Sequence, residues 1–163
     1  MKPLWNAIPA LLVWSFLATW AVAAEPWKSD FETARTDAQR LERPLLIHFF
    51  SDSCVPCVQM EQNVLHKPEV NAYLTQKVVA VAINVDEHLE LARRFKIDRW
   101  PSDVMVDPGS GRRLTTSTGP KPLGDYCLMM DKGLSWYQLV KGQKSEPSPV
   151  PTPPAPAYSP KNL

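Results

Sequence analysis

Clustered charge of one sign is missing from this sequence of 163 residues. Its 18 lysines and arginines nearly balance its 17 aspartates and glutamates, which leaves a formal net charge of +1. The adjacent basic residues form two isolated pairs, Arg93-Arg94 and Arg112-Arg113, which we interpret as a helix face and a turn. Because nucleic-acid binding needs a basic patch or stripe, we expect no nucleic-acid partner.

Cysteine is scarce as well, and the surroundings of the three cysteines argue against two common sites. Two of them form the motif Cys54-Val55-Pro56-Cys57, and the third, Cys127, stands alone. A zinc site usually needs a second Cys/His pair, but His66 and His88 lack the required spacing. Covalent haem attachment needs a histidine directly after the second cysteine, where this chain has Val58.

Three interpretations of the cysteine pair remain open at this point. A structural disulfide would close a loop of only four residues, which contributes little chain-entropy stabilisation. A copper(I) site is conceivable with Met60 as a thioether ligand, although helical spacing favours a core position for Met60. The third interpretation is a redox-active dithiol, which the residues around the motif favour.

An apolar run, Leu45–Phe50, ends in a short polar turn that leads directly into the cysteine motif. A helical pattern then continues to about Leu65. A strand that delivers C-x-x-C to the first turn of a helix is typical of thiol–disulfide redox sites. The unpaired N–H groups at a helix start stabilise a thiolate there, and Pro56 suits this first turn because its missing N–H is not needed.

The first 24 residues have the pattern of a secretory signal peptide. Lys2 precedes a nearly continuous apolar stretch, Ala7–Val22, and small residues, Ala21–Ala24, offer a cleavage site. The alternative is an uncleaved membrane anchor formed by residues 3–24. Both interpretations export the domain to the periplasm or the cell exterior, where disulfides persist.

Residues 143–163 form a second segment outside the predicted domain. The stretch Glu146–Pro160 holds seven prolines and no periodic apolar pattern, so it predicts an extended, disordered tail. The folded domain is therefore expected to span residues 26–142.

The pattern between these ends predicts an α/β domain, with a central mixed sheet of about four strands and helices on both faces. We expect a first helix that opens with a capping box at Ser29 and turns Phe31, Ala34, Ala38 and Leu41 inward. The other predicted elements are strands at Leu45–Phe50, Val78–Val85, Val104–Asp107 and Arg113–Ser117, and helices at Val55–Leu65, Glu87–Phe95 and Leu123–Val140.

This order of elements, with C-x-x-C after the first buried strand, resembles the thioredoxin family over residues 29–140. The sequence Trp100-Pro101 is similar to the family's cis-proline loop, and Gly119 to the glycine before its last helix. Glu61 and the run Pro68-Glu69-Val70 resemble exported members, especially the C-terminal domain of the bacterial transmembrane disulfide reductase.

The resemblance implies a role for each site residue. Cys54 would attack a substrate disulfide, Cys57 would resolve the mixed disulfide, and Pro56 would support the active-site turn. Trp100 and Pro101 would shape the groove and bind the substrate main chain. No cofactor beyond the Cys54–Cys57 disulfide is implied.

His48 marks a departure from the family, because a proton-relaying aspartate usually stands six residues before the first cysteine. An imidazole at this position could serve as that base, or it could be an ordinary strand histidine. Ala82 likewise replaces the lysine that usually partners the aspartate. We expect Cys127 to be a buried free thiol.

We therefore expect a monomeric exported reductase that acts on disulfide-bearing exported proteins and is recharged by a membrane electron donor. The reducing direction follows from Val55-Pro56, which brings no histidine to stabilise the Cys54 thiolate. The alternative is a thioredoxin-fold binding module, a chaperone for copper(I) or for thiol proteins with little turnover.

Overall fold

The computed structural model of the protein describes residues 26–145. The predicted signal peptide and the tail beyond residue 145 lie outside these residues. Within them, the longest helices are too short or too polar to cross a lipid bilayer.

The described residues form five strands and five helices, and the elements that the sequence predicts occur in the predicted order. The strands are β1 Trp27–Lys28, β2 Leu45–Phe50, β3 Val79–Asn84, β4 Ser102–Val106 and β5 Arg113–Thr118. The helices are α1 Phe31–Arg40, α2 Val55–Met60, α3 Pro68–Gln76, α4 Leu89–Arg94 and α5 Leu123–Ser145. A single π-helical turn, Glu61–Leu65, continues α2. The predicted domain boundary at residue 142 falls within α5.

The strands form one mixed sheet in the order β1-β3-β2-β4-β5. Strands β1 and β2 run parallel to β3, whereas β4 runs antiparallel to β2 and β5. The fifth strand, β1, was not predicted, because two residues are too few to show alternation. The α/β thioredoxin fold itself, with helices on both faces of a mixed sheet, is confirmed.

Each face of the sheet buries its own apolar cluster. Successive side chains of a strand point to opposite faces, so Leu45, Ile47 and Phe49 pack with residues of α1 and α4. Leu46 belongs to the other cluster, with residues of α2, α3 and α5. His48 follows Leu46 by two positions and therefore faces this second layer, beneath the active-site helix.

Two details of α1 differ from the sequence prediction. The helix is capped by Asp30 rather than Ser29, because the Asp30 carboxylate accepts a hydrogen bond of 2.7 Å from the Thr33 backbone N–H. Ala34 and Ala38 lie in the core, as predicted. Leu41, which was expected to face inward, is the residue after the helix and is exposed.

Candidate active site

Cys54 and Cys57 form a disulfide at the start of α2, with their Cα atoms 5.3 Å apart. Cys54 is the residue that caps the helix, and its sulfur accepts a 3.2 Å hydrogen bond from the Cys57 backbone N–H. Cys54 is half-buried, whereas Cys57 lies one turn in and is only 4% exposed. The two sulfurs are therefore unequal in access, and the outer one sits at the positive end of the helix.

A polar turn holds the disulfide at the end of β2. The Ser51 hydroxyl donates a 2.7 Å hydrogen bond to Asp86, and the Ser51 carbonyl accepts one of 3.1 Å from the Cys54 N–H. Asn84 donates from its side-chain amide to Asp52 at 3.0 Å. These contacts connect the loop before the cysteines to the end of β3, so two neighbouring strands of the sheet position the disulfide.

The Trp100–Pro101 loop lies against the outer sulfur. Its peptide bond is cis, as the resemblance implies. The Trp100 carbonyl oxygen is 3.7 Å from the Cys54 sulfur, and the indole packs partly buried against the core. The Pro101 carbonyl accepts a 2.8 Å hydrogen bond from Gly119, whose φ of +76° favours glycine. The structure thus brings Trp100 and Pro101 to the disulfide.

Apolar side chains on the first turns of α2 lie open beside Cys54. Val55 is 66% exposed and Val58 is 42% exposed, and Pro56 between them is exposed too. A partner that approaches the Cys54 sulfur therefore meets a small apolar surface before any charge on this helix.

Cys57 is one of the residues that line a cavity of about 240 Å³. Six of the side chains that line it matter for its chemistry: Trp27, His48, Asp52, Cys57, Glu61 and His66. Glu61 and His66 pair at 3.3 Å. No lysine or arginine of the described residues lines this cavity.

His48 is buried and is paired with a carboxylate. Its Nδ1 lies 2.9 Å from Oδ1 of Asp103, which is completely buried. The Tyr126 hydroxyl donates a 2.9 Å hydrogen bond to the same oxygen. Burial, followed by the Asp103 charge, raises the pKa of Tyr126 well above its ordinary value. Sequence reasoning found His48 but missed Asp103 and Tyr126.

The third cysteine is more accessible than predicted. Cys127 is a free thiol and is partly rather than fully buried, because its position on α5 falls between the buried Tyr126 and the exposed Leu128. Burial, with smaller contributions from Asp131 and Glu69, raises its pKa. Met60 lies in the core, only 2% exposed, so its thioether serves packing.

Over residues 26–145, the histidine, cysteine, aspartate and glutamate side chains form no group of three or more that could hold a metal ion.

A thioredoxin fold that carries a C-x-x-C disulfide at a helix N-terminus defines a thiol–disulfide oxidoreductase. A family model described as thioredoxin-like matches residues 26–108, which is more than half of the chain. The protein belongs to the thioredoxin-like family, and the predicted resemblance is confirmed.

Individual relatives place the chain near thiol:disulfide interchange proteins. Over 87 residues it is 32% identical to the thiol:disulfide interchange protein DsbD of Vibrio vulnificus. The alignment covers 48% of this chain and 14% of that protein. The chain therefore spans about one seventh of that relative's length.

Solved structures agree on the fold. A thioredoxin from Thermus thermophilus superposes with a TM-score of 0.57 at 25% identity, covering 74% of this chain and 92% of the other. The oxidised C-terminal domain of DsbD from Neisseria meningitidis gives a TM-score of 0.56 at 19% identity, over 66% and 98%. At that identity the second match speaks for the fold alone.

Proposed function

We propose that this protein reduces disulfide bonds in exported proteins through the Cys54–Cys57 dithiol. The observation that carries the proposal is the inequality of the two sulfurs: Cys54 is accessible at the helix N-terminus, and Cys57 is buried behind it. Such a pair separates the attacking thiol from the resolving thiol. The resemblance assigned these same roles.

The exchange proceeds in two balanced steps. The Cys54 thiolate attacks one sulfur of the substrate disulfide, which forms a mixed disulfide and expels the other substrate sulfur as a thiolate. Cys57, as a thiolate, then attacks the Cys54 sulfur, closes the Cys54–Cys57 disulfide and expels the second substrate sulfur. Two electrons pass to the substrate, and the protons that leave the two cysteines balance those taken up by the substrate thiolates.

Substrate binding is assigned to the two surfaces that flank Cys54. On one side, the Trp100 carbonyl and the following Pro101 offer main-chain groups within reach of the attacked disulfide. On the other side, Val55 and Val58 present apolar area to an unfolded or extended chain. Pro56 holds the turn between them, where its missing N–H leaves no donor unsatisfied.

The charges around the inner sulfur support a reducing direction. Asp52 and Glu61 line the same cavity as Cys57. Among the described residues, no lysine or arginine lines this cavity, and the C-x-x-C motif contains none. Negative neighbours disfavour a thiolate and so favour the oxidised protein, which makes the dithiol a better electron donor. Potentials in this fold range from about −270 mV to about −120 mV, a difference of about 7 kcal/mol for two electrons.

A donor and a compartment complete the proposal. The DsbD relatives are named for thiol:disulfide interchange, and a reductase that acts on exported proteins needs renewed electrons from across the membrane. We therefore assign a membrane electron donor as one partner and disulfide-bearing exported proteins as the other. Export itself rests on the signal-like pattern of residues 1–24.

The test is a reductase assay with single-cysteine variants. The protein, kept reduced by a small dithiol, should accelerate reduction of a model disulfide protein such as insulin. Cys54→Ser should abolish this activity, and Cys57→Ser should accumulate a covalent mixed disulfide visible on non-reducing gels. Cys127→Ser is the matched control and should keep wild-type activity.

Two outcomes would overturn the proposal. Full activity in Cys54→Ser would remove the assigned nucleophile. Stoichiometric retention of copper(I) by the reduced protein, with no acceleration of disulfide reduction, would establish the binding module instead.

A further inference from the structure

A polar cluster lies buried beneath the active-site helix, in a layer made mostly of apolar side chains. Strands β2 and β4 pair so that His48 stands directly opposite Asp103. Both residues and Tyr126 of α5 are almost fully buried. Two hydrogen bonds of 2.9 Å, from His48 Nδ1 and from the Tyr126 hydroxyl, converge on the same Asp103 oxygen.

Packing alone does not account for this cluster. Burying polar or ionisable groups is unfavourable unless they are paired, and apolar residues of similar volume usually stabilise a core at least as well. The second carboxylate oxygen of Asp103 is buried without a hydrogen-bond partner among the described residues. Unsatisfied buried groups of this kind call for a functional explanation.

His48 is the member of this cluster that lies near the resolving cysteine. Because a carboxylate oxygen only accepts, we assign the Nδ1 proton of His48 to the contact with Asp103, which leaves the lone pair of the neutral imidazole on Nε2. His48 and the resolving Cys57 line the same cavity of about 240 Å³. A cavity of this size has room for water, at about 30 Å³ for each molecule.

We propose that His48 takes the proton of Cys57 when the mixed disulfide is resolved, and that Asp103 and Tyr126 position and polarise the imidazole. The Cys57 S–H gives its proton to His48 Nε2, directly or through one water. The resulting thiolate attacks the Cys54 sulfur, and the bond between Cys54 and the substrate sulfur breaks. His48 returns the proton to the departing substrate thiolate or to solvent.

Other titratable groups near His48 have separate roles. From the loop after β2 comes Asp52, which accepts from Asn84. From the π-helical turn comes Glu61, which pairs with His66. The side chains of Asp52, Glu61 and His66 are exposed. Among the described residues, Asp103 supplies the hydrogen-bonded carboxylate at His48.

The inference deepens the proposed exchange chemistry and does not depend on its physiological direction. It is tested with the reduced full chain and the chromogenic disulfide DTNB (5,5′-dithiobis-2-nitrobenzoate), by stopped-flow absorbance. Attack by Cys54 releases a first nitrothiobenzoate in a concentration-dependent phase. Resolution by Cys57 releases the second in a concentration-independent phase, which Cys57→Ser removes. Cys127→Ser serves as the background for all variants.

The relay predicts a loss confined to the second phase. At pH 7, Asp103→Asn and His48→Gln should each slow resolution at least tenfold, within the about 10²–10⁴-fold range of general-base catalysis, and leave the first phase unchanged. At pH 9.5, hydroxide in solution can take the thiol proton in place of His48, so the loss in both variants should be smaller than at pH 7. Tyr126→Phe, which keeps the ring, should slow resolution by a few-fold at pH 7.

Four results would overturn the relay. They are equal slowing of both phases, an unchanged second phase, a loss at pH 9.5 as large as the loss at pH 7, and failure of the variants to form the Cys54–Cys57 disulfide at all. An absent first phase in the wild type would overturn the proposed function as well, so the two failures are distinguishable. If Asp103→Asn does not fold, Tyr126→Phe and His48→Gln carry the same comparison.

Discussion

Helix α5 lies close against the sheet at Gly133, and a methyl group there should loosen the layer beneath the active site. A Cβ added at Gly133 would overlap the sulfur of the buried Met105 and lie 3.0 Å from a methyl carbon of Thr115. Gly142 of the same helix is the matched control, because a Cβ added there meets no atom within 4 Å.

The expected magnitude follows from two opposing effects. Alanine in place of glycine stabilises a helix interior by up to about 1 kcal/mol. Overpacking of a close contact costs about 1–3 kcal/mol, and the flexibility of Met105 places this contact toward the lower end. Gly133→Ala should therefore lower the free energy of unfolding by roughly 0–2 kcal/mol, whereas Gly142→Ala should raise it by up to about 1 kcal/mol.

Urea denaturation of the oxidised protein measures both variants. With a urea m-value of about 1–3 kcal/mol/M, the two midpoints should differ by roughly 1 M, with Gly133→Ala lower. Equal midpoints would contradict the close approach of α5 to Met105. The same helix holds the Tyr126 hydroxyl against Asp103. A displacement of α5 should therefore also slow resolution by Cys57 in Gly133→Ala.

Three further predictions concern the pH dependence of stability, the free thiol and substrate contact. Burial favours the neutral phenol of Tyr126 and raises the pKa of Tyr73 to about 12, so this stabilisation is intact below about pH 10 and is lost as the pH rises further; urea titrations from pH 8 to 11 should show a smaller loss in Tyr126→Phe than in wild type. Cys127, whose pKa is raised by burial, should react with iodoacetamide at pH 8 more slowly than Cys54 in the reduced protein, as peptide mass spectrometry would reveal; equal rates would contradict this assignment. Val55→Ser should lower kcat/KM for a protein disulfide by up to about tenfold, because burying a valine on binding contributes about 1.5 kcal/mol, and should leave the first phase with DTNB unchanged; a parallel loss with DTNB would show that Val55 acts on the chemistry instead.

The fold followed from local patterns because each of them maps onto one element. The apolar run at residues 45–50 predicted the central strand, and the two-residue spacing of Cys54 and Cys57 predicted a disulfide at a helix start. Asp30 was missed as the helix cap because Ser29 is an equally good capping residue by type. Only the backbone geometry decides which of two adjacent caps faces the first turn.

The buried cluster of His48, Asp103 and Tyr126 could not be predicted from the sequence, because it depends on the register of strand pairing. His48 and Asp103 are 55 positions apart, and a slip of one residue between β2 and β4 would send Asp103 to the opposite face. Asp103 also sits one residue before the strand predicted at Val104, where an aspartate reads as part of a turn. Tyr126 carries no signal that separates it from an ordinary core aromatic residue.

The direction of electron flow is the central claim, and the reduction potential of the Cys54–Cys57 couple tests it most directly. The full chain would be equilibrated with glutathione buffers and then with dithiothreitol, and the dithiol fraction measured by thiol trapping. The account predicts a potential near or below about −230 mV, among the reductases of this fold. A potential above about −180 mV would reverse the assigned direction and make the protein an oxidase or isomerase.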